Sequence, residues 1–402
     1  MTVGYAIVFA VALGVTLATT PVVRRFVVRA GAVVQPSDDP RRVHTKPLAT
    51  LGGVAMFTGF LAAMAVAAVL PEFRDVFRQS SEPLGLLLGA GVILLVGALD
   101  DLVDVSPPAK VAGQVLAAGL LTLSGITMYF FRMPFNLFST DTVVLGSAWA
   151  PLVTAAWVVL MTNAVNLIDG LDGLAAGIVA IAGGALFLFA DRLLDAGALA
   201  PGNIGPLVAV ITVGICLGFL RDNWHPARIM MGDAGALFCG LLLAVPTITI
   251  GGRTDQGFSG NTFFFFGPLL IPVVILGVPI IDTAFSFVRR VVRRQSWHQA
   301  DADHLHHRLM RLGHGPRRTV AILWAWTALL SGVALLPTYT NEGNAIVPFV
   351  VAGLALLLFA WFHPGVRVER QRSERARHPS AHPPSDDADP VVDLAERRRR
   401  RA

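Results

Sequence analysis

Runs of about twenty apolar residues recur along this chain, each long enough to cross a hydrocarbon core of about 30 Å as a helix. Eleven such runs stand at about 3–23, 50–70, 84–99, 110–128, 151–165, 173–190, 205–220, 234–250, 264–288, 319–337 and 345–363. Charged residues make up 15% of the chain, well under the roughly 25% of a soluble globular protein. Alternating ten-residue strands of the membrane-barrel type are absent from the sequence. The fold class is therefore an all-α polytopic membrane protein with about eleven transmembrane helices.

Lysine and arginine set the expected orientation. The segments after runs 1, 3, 5, 7 and 9, together with the C-terminal tail, hold 27 of the 32, and the segments on the opposite side hold 5. Basic loops stay in the cytoplasm, which places the N-terminus outside and the C-terminus inside. Residues 3–23 do not read as a cleaved signal, because no basic residue precedes them and Arg24 and Arg25 follow. The expected organisation is a membrane domain over 1–365 and an Arg-rich disordered cytoplasmic tail over 366–402. Residues 129–150 are expected to form a small hairpin on the outer side. Cys216 and Cys239 fall inside apolar runs and are expected as buried thiols.

Asn163-Ala-Val-Asn166-Leu-Ile-Asp169-Gly170-Leu171-Asp172-Gly173 interrupts the apolar pattern most sharply. A lone Asp in the middle of a membrane helix costs about 2.5–3.5 kcal/mol, so such residues line a site or mark an aqueous boundary. An unbroken helix would set Asn163 and Asp172 on opposite faces, and Gly170 and Gly173 let the chain turn instead. Other polar clusters are expected on the same cytoplasmic side. Run 3 ends in Asp100-Asp101, with Lys110 opening run 4, where a lysine or a divalent metal would relieve the paired charges. Run 8 opens at Met231-Gly232-Asp233, where Asp233 reads either as a helix N-cap or as a metal ligand. Before run 2, Lys46 and Thr50 lead into Gly52-Gly53, which reads either as a Pro turn with glycines for close helix packing or as a helix start suited to an anion. Residues 263–294 hold three prolines and read as a bent run, with Asp282 near its polar end. His304-Leu-His306-His307-Arg308 reads as a phosphate or sugar contact. Carboxylates beside basic groups suit a magnesium-assisted phosphoryl transfer, and a site at the bilayer implies a lipid substrate.

These motifs, in this order, resemble the polyprenyl-phosphate N-acetylhexosamine-1-phosphate transferases of the glycosyltransferase 4 family. The likeness covers about residues 40–312. It implies attack of a polyprenyl phosphate (undecaprenyl or decaprenyl phosphate) on the β-phosphorus of a UDP-linked amino sugar, releasing UMP with Mg²⁺, or Mn²⁺ in its place. Mapped onto this chain, the resemblance makes Asp100, Asp101, Lys110, Asp169 and Asp172 catalytic, and Asp233 and Asp169 metal ligands. Lys46, Asn163, Asn166, Gly170, Leu171, His304, His306, His307 and Arg308 become substrate contacts. Preceded by Ala-Asp-Ala-Asp, the His-Leu-His-His-Arg pattern is similar to the GlcNAc-1-phosphate branch. The muropeptide branch typically carries three consecutive histidines, and its spacing from the second Asp to the Lys is shorter. UDP-GlcNAc is the expected donor, UDP-MurNAc-pentapeptide the alternative, and an ion-coupled transporter the alternative of a different class. The other expectations are a bacterial plasma membrane location, no nucleic acid partner, and homodimerisation as an open option.

The basic-residue asymmetry is testable. Single cysteines at positions 37, 106, 300 and 140, on a background lacking Cys216 and Cys239, are probed with an impermeant maleimide in intact cells. Position 140 is expected to label and the other three to stay protected; labelling at 106 or 300 contradicts the orientation.

Overall fold

The computed structural model describes residues 3–34, 48–132, 142–251, 277, 280, 309, 310, 312–340 and 343–362. Helices occupy ten of the eleven expected runs. The ninth, 264–288, lies outside the described residues except at Gly277 and Ile280, as do Asp282 and the tail from 366. In chain order, α1 (Val3–Arg29) leads to a two-stranded antiparallel pair, β1 (Val33–Val34) with β2 (Leu48–Ala49). Next come α2 (Gly52–Val69), the short α3 (Arg74–Arg78), α4 (Glu82–Val103) and α5 (Pro107–Leu123). The expected outer hairpin follows, with β3 (Phe130–Arg132) antiparallel to β4 (Thr142–Val144). The remaining helices are α6 (Trp149–Ile168), α7 (Leu174–Asp195), α8 (Gly205–Asn223), α9 (Gly232–Pro246), α10 (Pro316–Thr340) and α11 (Val347–Phe362). A π-turn over Thr247–Gly251 extends α9.

Eight of these helices are long and apolar enough to cross a membrane by length and composition, α5 and α11 being shorter at 17 and 16 residues. Their outward faces are apolar. Leu84, Leu88 and Leu95 on α4 and Val351, Leu354 and Leu358 on α11 are all exposed, which suits a hydrocarbon solvent. Lipid is as apolar as leucine, so the interior is held by close packing and internal hydrogen bonds.

Helix α9 is the centre of the bundle, packed by α2, α4, α6, α7 and α8. Its apolar stretch is wholly buried, with Leu237, Phe238, Leu241, Leu242 and Leu243 at 0% exposure. Outside this core, α1 packs on α2 and α8, and α10 packs on α7. Close approach of α4 to the start of α9 depends on Gly97. A Cβ there would stand 2.5 Å from the backbone N and Cα of Ala234 and 2.6 Å from the carbonyl carbon of Asp233. That contact sets the distance between two polar helix ends.

Gly97→Ala forces the α4 and α9 backbones apart and is expected to destabilise the fold by about 1–3 kcal/mol, as overpacking does. Gly91→Ala, on the same helix where nothing lies within 4 Å, should leave the thermal midpoint of the detergent-purified protein unchanged. Equal midpoints for the two variants would contradict the close-packing argument.

Candidate active site

The sharp connection from α4 to α5 builds the first part of the site. Asp104 closes α4 in the left-handed region (φ 55°), and Pro107 and Pro108 open α5 where their missing N–H groups cost nothing. Asp100 Oδ1 accepts a hydrogen bond from Val105 N at 2.8 Å, fixing the turn. Folded back this way, α5 delivers Lys110 Nζ into an ion pair with Asp100 Oδ2. The same ammonium reaches Asp233 Oδ2 at 3.1 Å, and Asn166 Nδ2 donates to that oxygen at 3.2 Å. One oxygen of Asp233 thus gathers groups from α5 and α6.

Asp101 has a different task from its neighbour. Its two oxygens accept Asp233 N at 2.9 Å and Ala234 N at 3.2 Å, so it caps the N-terminus of α9 from another helix. Asp101, expected among the catalytic groups, has its carboxylate engaged by backbone N–H groups. The N-cap role that the sequence left open for Asp233 is filled by a partner 132 residues away, and the Asp233 side chain faces Lys110. Gly232, at φ +71°, lies directly against the Asp101 carboxylate where a side chain would collide.

At Gly52-Gly53 the close-packing alternative holds: a Cβ on Gly53 would collide with the backbone N of Gly235. Gly52 N donates to Met230 O and Gly53 N to Met231 O, both at 3.1 Å, and Met230 N donates to Ala49 O at 2.8 Å. The first amides of α2 hold the loop before α9 and are not open to a phosphate.

Asp169 and Asp172 sit on the turn between α6 and α7, which Gly173 makes possible at φ +75°. Asp172 is buried, with Oδ2 at 2.7 Å from His225 Nδ1 and accepting Ala227 N at 3.0 Å. It therefore fastens the α8–α9 loop. Asn223 braces the same loop, accepting Gly173 N at 3.0 Å and donating to Ile229 O at 2.9 Å, and Arg317 donates to His225 O at 3.1 Å. Among the described residues the Asp169 carboxylate has no hydrogen-bond partner. Desolvation by the surrounding protein, and then the charges of Asp233, Asp101 and Asp172, push its carboxyl well above the usual range.

Of the other expected contacts, Asn163 uses its amide nitrogen inside the protein, donating to Gln114 Oε1 and to Val159 O, each at 2.7 Å. Leu171 is buried and Gly170 is exposed beside Asp169. Lys46, His304, His306, His307 and Arg308 lie outside the described residues. The sequence reading assigned no role to Gln114, Asn223 or His225. A lone glutamine in an apolar run was the available signal for the first, and the other two lie in the polar stretch before Asp233. Among the described residues no three His, Cys, Asp or Glu side chains are grouped so as to hold a metal ion by themselves. Asp233 and Asp169 nonetheless suit a cation that takes one or two carboxylates and draws its other ligands from substrate phosphates and water.

Comparison with known proteins agrees with this geometry. The model of glycosyl transferase family 4 matches residues 83–251, which span α4 to the end of α9. A decaprenyl-phosphate N-acetylglucosaminephosphotransferase of Mycobacterium tuberculosis is 36% identical over 351 residues, 86% of each chain. The chain belongs to glycosyl transferase family 4. A probable undecaprenyl-phosphate N-acetylglucosaminyl 1-phosphate transferase of Bacillus subtilis is 36% identical over 318 residues, 79% of this chain and 80% of the other. A phospho-N-acetylmuramoyl-pentapeptide-transferase of Mycolicibacterium gilvum is 31% identical over 368 residues, 83% and 97% of the two. The family's matched segment contains every described carboxylate of the site.

The capping role of Asp101 separates from chemistry by substitution. Asp101→Ala leaves two α9 amides without acceptors and is expected to lower stability by about 1–2 kcal/mol, the scale of a lost N-cap. Asp101→Asn keeps one acceptor oxygen and should lose less. Thermal midpoints measured in detergent decide, and an Asp101→Ala protein as stable as wild type contradicts the cap.

Proposed function

We propose that this protein transfers N-acetylglucosamine 1-phosphate from UDP-GlcNAc to a polyprenyl phosphate at the cytoplasmic face of a bacterial plasma membrane. The observation that carries this reading is the 36% identity across 86% of both chains with a decaprenyl-phosphate N-acetylglucosaminephosphotransferase. Five carboxylates and a lysine at the helix ends supply a chemistry that fits it. An oxygen of the lipid phosphate attacks the β-phosphorus of the donor. The bond from that phosphorus to the α–β bridging oxygen breaks, UMP leaves with the electron pair, and polyprenyl-diphosphate-GlcNAc forms.

Phosphoryl transfer of this kind depends on positioning and on stabilising charge. Lys110 has three N–H donors, and Asp100 and Asp233 engage it in two ion pairs. Its third donor is free to meet the acceptor phosphate, with Asp100 holding the ammonium in place. Asn166 fixes the orientation of Asp233. Asp233 and Asp169 would hold Mg²⁺, or Mn²⁺ in its place, which neutralises the donor diphosphate when bound. Gly170 and Leu171, on the turn beside Asp169, border the uridine side, and Lys46 and the His304–Arg308 segment are assigned to the diphosphate and sugar. The identity with a pentapeptide-transferase keeps the muropeptide donor as the second reading.

A donor panel in detergent with polyprenyl phosphate tests the reading. UMP is expected from UDP-GlcNAc; release from UDP-MurNAc-pentapeptide alone moves the chain to the other branch. Variants then divide the acids. Asp233→Asn keeps size and loses charge, and should lose turnover together with Mg²⁺-dependent nucleotide binding. Asp100→Asn should lose turnover by roughly 10²-fold, the scale of a lost aligning or proton-transfer group, yet keep that binding. Unchanged Mg²⁺ dependence in Asp233→Asn, measured by calorimetry, would move the metal off Asp233.

A further inference from the structure

Gln114 lies at 0% exposure in α5, and its Nε2 has no hydrogen-bond partner. An unpaired buried amide costs about 1–3 kcal/mol, and an apolar residue of similar length would remove that cost. A polar side chain kept at such a place calls for a reason other than stability. Its position supplies one. Gln114 is four residues beyond Lys110 on α5, one turn along the same face, and Asn163 is three residues before Asn166 on α6. Asn163 Nδ2 donates to Gln114 Oε1 at 2.7 Å. One turn nearer the helix ends, Lys110 Nζ and Asn166 Nδ2 reach the same oxygen of Asp233 at 3.1 and 3.2 Å. The two amides therefore join the same pair of helices that must converge on Asp233, one turn deeper in the bundle.

We propose that Gln114 is a positioning residue for the transfer reaction. Through Asn163 it sets the register of α5 against α6 at which Lys110 and Asn166 share one oxygen of Asp233. This rests on the reading of the protein as a sugar-phosphate transferase. Neither amide touches the reacting atoms. A slip of α5 along α6 would leave both helices folded and still pull Lys110 away from Asn166. Losses in phosphoryl transfer follow such misplacements steeply.

The orphan amide makes a positioning role separable from a structural one. Gln114→Leu removes two unpaired N–H groups and leaves one Asn163 N–H without its acceptor, so stability should hardly change. The test uses the full-length protein in detergent, on the donor of the panel that wild type turns over. Gln114→Leu, Asn163→Leu and the double variant are compared for thermal midpoint, kcat and KM for the nucleotide sugar, with Gln114→Met as a second, unbranched replacement. The expected outcome is a midpoint within about 1 °C of wild type. In the same variants kcat falls about tenfold or more, the scale of a small misplacement, with KM within about twofold. The double variant is expected to be no slower than the worse single one, because both remove one contact. Wild-type kcat in both Gln114→Leu and Gln114→Met overturns the proposal, as do losses that multiply in the double variant or a midpoint that falls in step with kcat. A wild-type protein that turns over some other donor than UDP-GlcNAc refutes the donor assignment and leaves this comparison in force on that donor.

Discussion

One ammonium group, Lys110, is shared by carboxylates on two helices that are 133 residues apart at Asp100 and Asp233, and the arrangement of the bundle around the site follows from it. Two carboxylates brought together in a medium of low dielectric repel strongly unless a cation sits between them. Supplying that cation from α5 demands a tight turn after α4, which Asp104 and the two prolines provide. Bringing Asp233 within reach demands that α4 meet the start of α9 backbone to backbone, which Gly97 allows. Asp101 completes the arrangement. By accepting Asp233 N and Ala234 N, it satisfies the helix terminus that the Asp233 side chain would otherwise turn back to cap.

The acids of the site therefore do four kinds of work, although the sequence presents them alike. Asp100 and Asp233 hold Lys110, Asp101 holds the end of α9, and Asp172 holds the α8–α9 loop through His225 and Ala227. Asp169 is surrounded by the charges of the others and is raised well above the ordinary carboxylate range. A carboxylate in that position gains most from a cation brought from outside, because no side chain in the described structure has already offset its charge. The demand for a cation is thus local to the α6–α7 turn and the start of α9.

The spans were legible because bilayer thickness fixes helix length, and apolar runs of that length have few alternative folds. The β3–β4 hairpin was legible from its β-forming residues. The turn at Gly170–Gly173 was legible because helical periodicity alone could not bring Asn163 and Asp172 to one side. Cross-helix capping was not. Asp101 and Asp100 are adjacent in sequence and identical in type, and only the packing of α4 on α9 tells them apart. The Gly52-Gly53 start read as an anion site as well as a packing contact because free amides at a helix start look the same whether a phosphate or a backbone carbonyl will occupy them. Met230 and Met231, which do occupy them, lie about 180 residues away. Gln114 left only one polar letter in an apolar run, and its meaning depends on Asn163 of α6, the next helix beyond the strand pair.

Placing this site at the helix ends, and not at the middle of the bundle, has a physical reason. Five carboxylates gathered at one site are unfavourable wherever they lie, and deeper in the hydrocarbon the cost of each would rise. At the ends, backbone amides and solvent share the load, as the α9 N-terminus does for Asp101. The repulsion that remains is opposed by packing. Among the described helices, Asp233 opens the one whose whole apolar stretch is buried, clasped by five neighbours, so shifting it would disturb more contacts than shifting a peripheral one. The loop leading into it is fastened from three directions, by Ala49, Asn223 and Asp172. Charged groups that repel one another can be kept at fixed positions only by a frame stiffer than the forces between them. The sequence provides that frame by setting its acids around the start of the most deeply buried of the described helices.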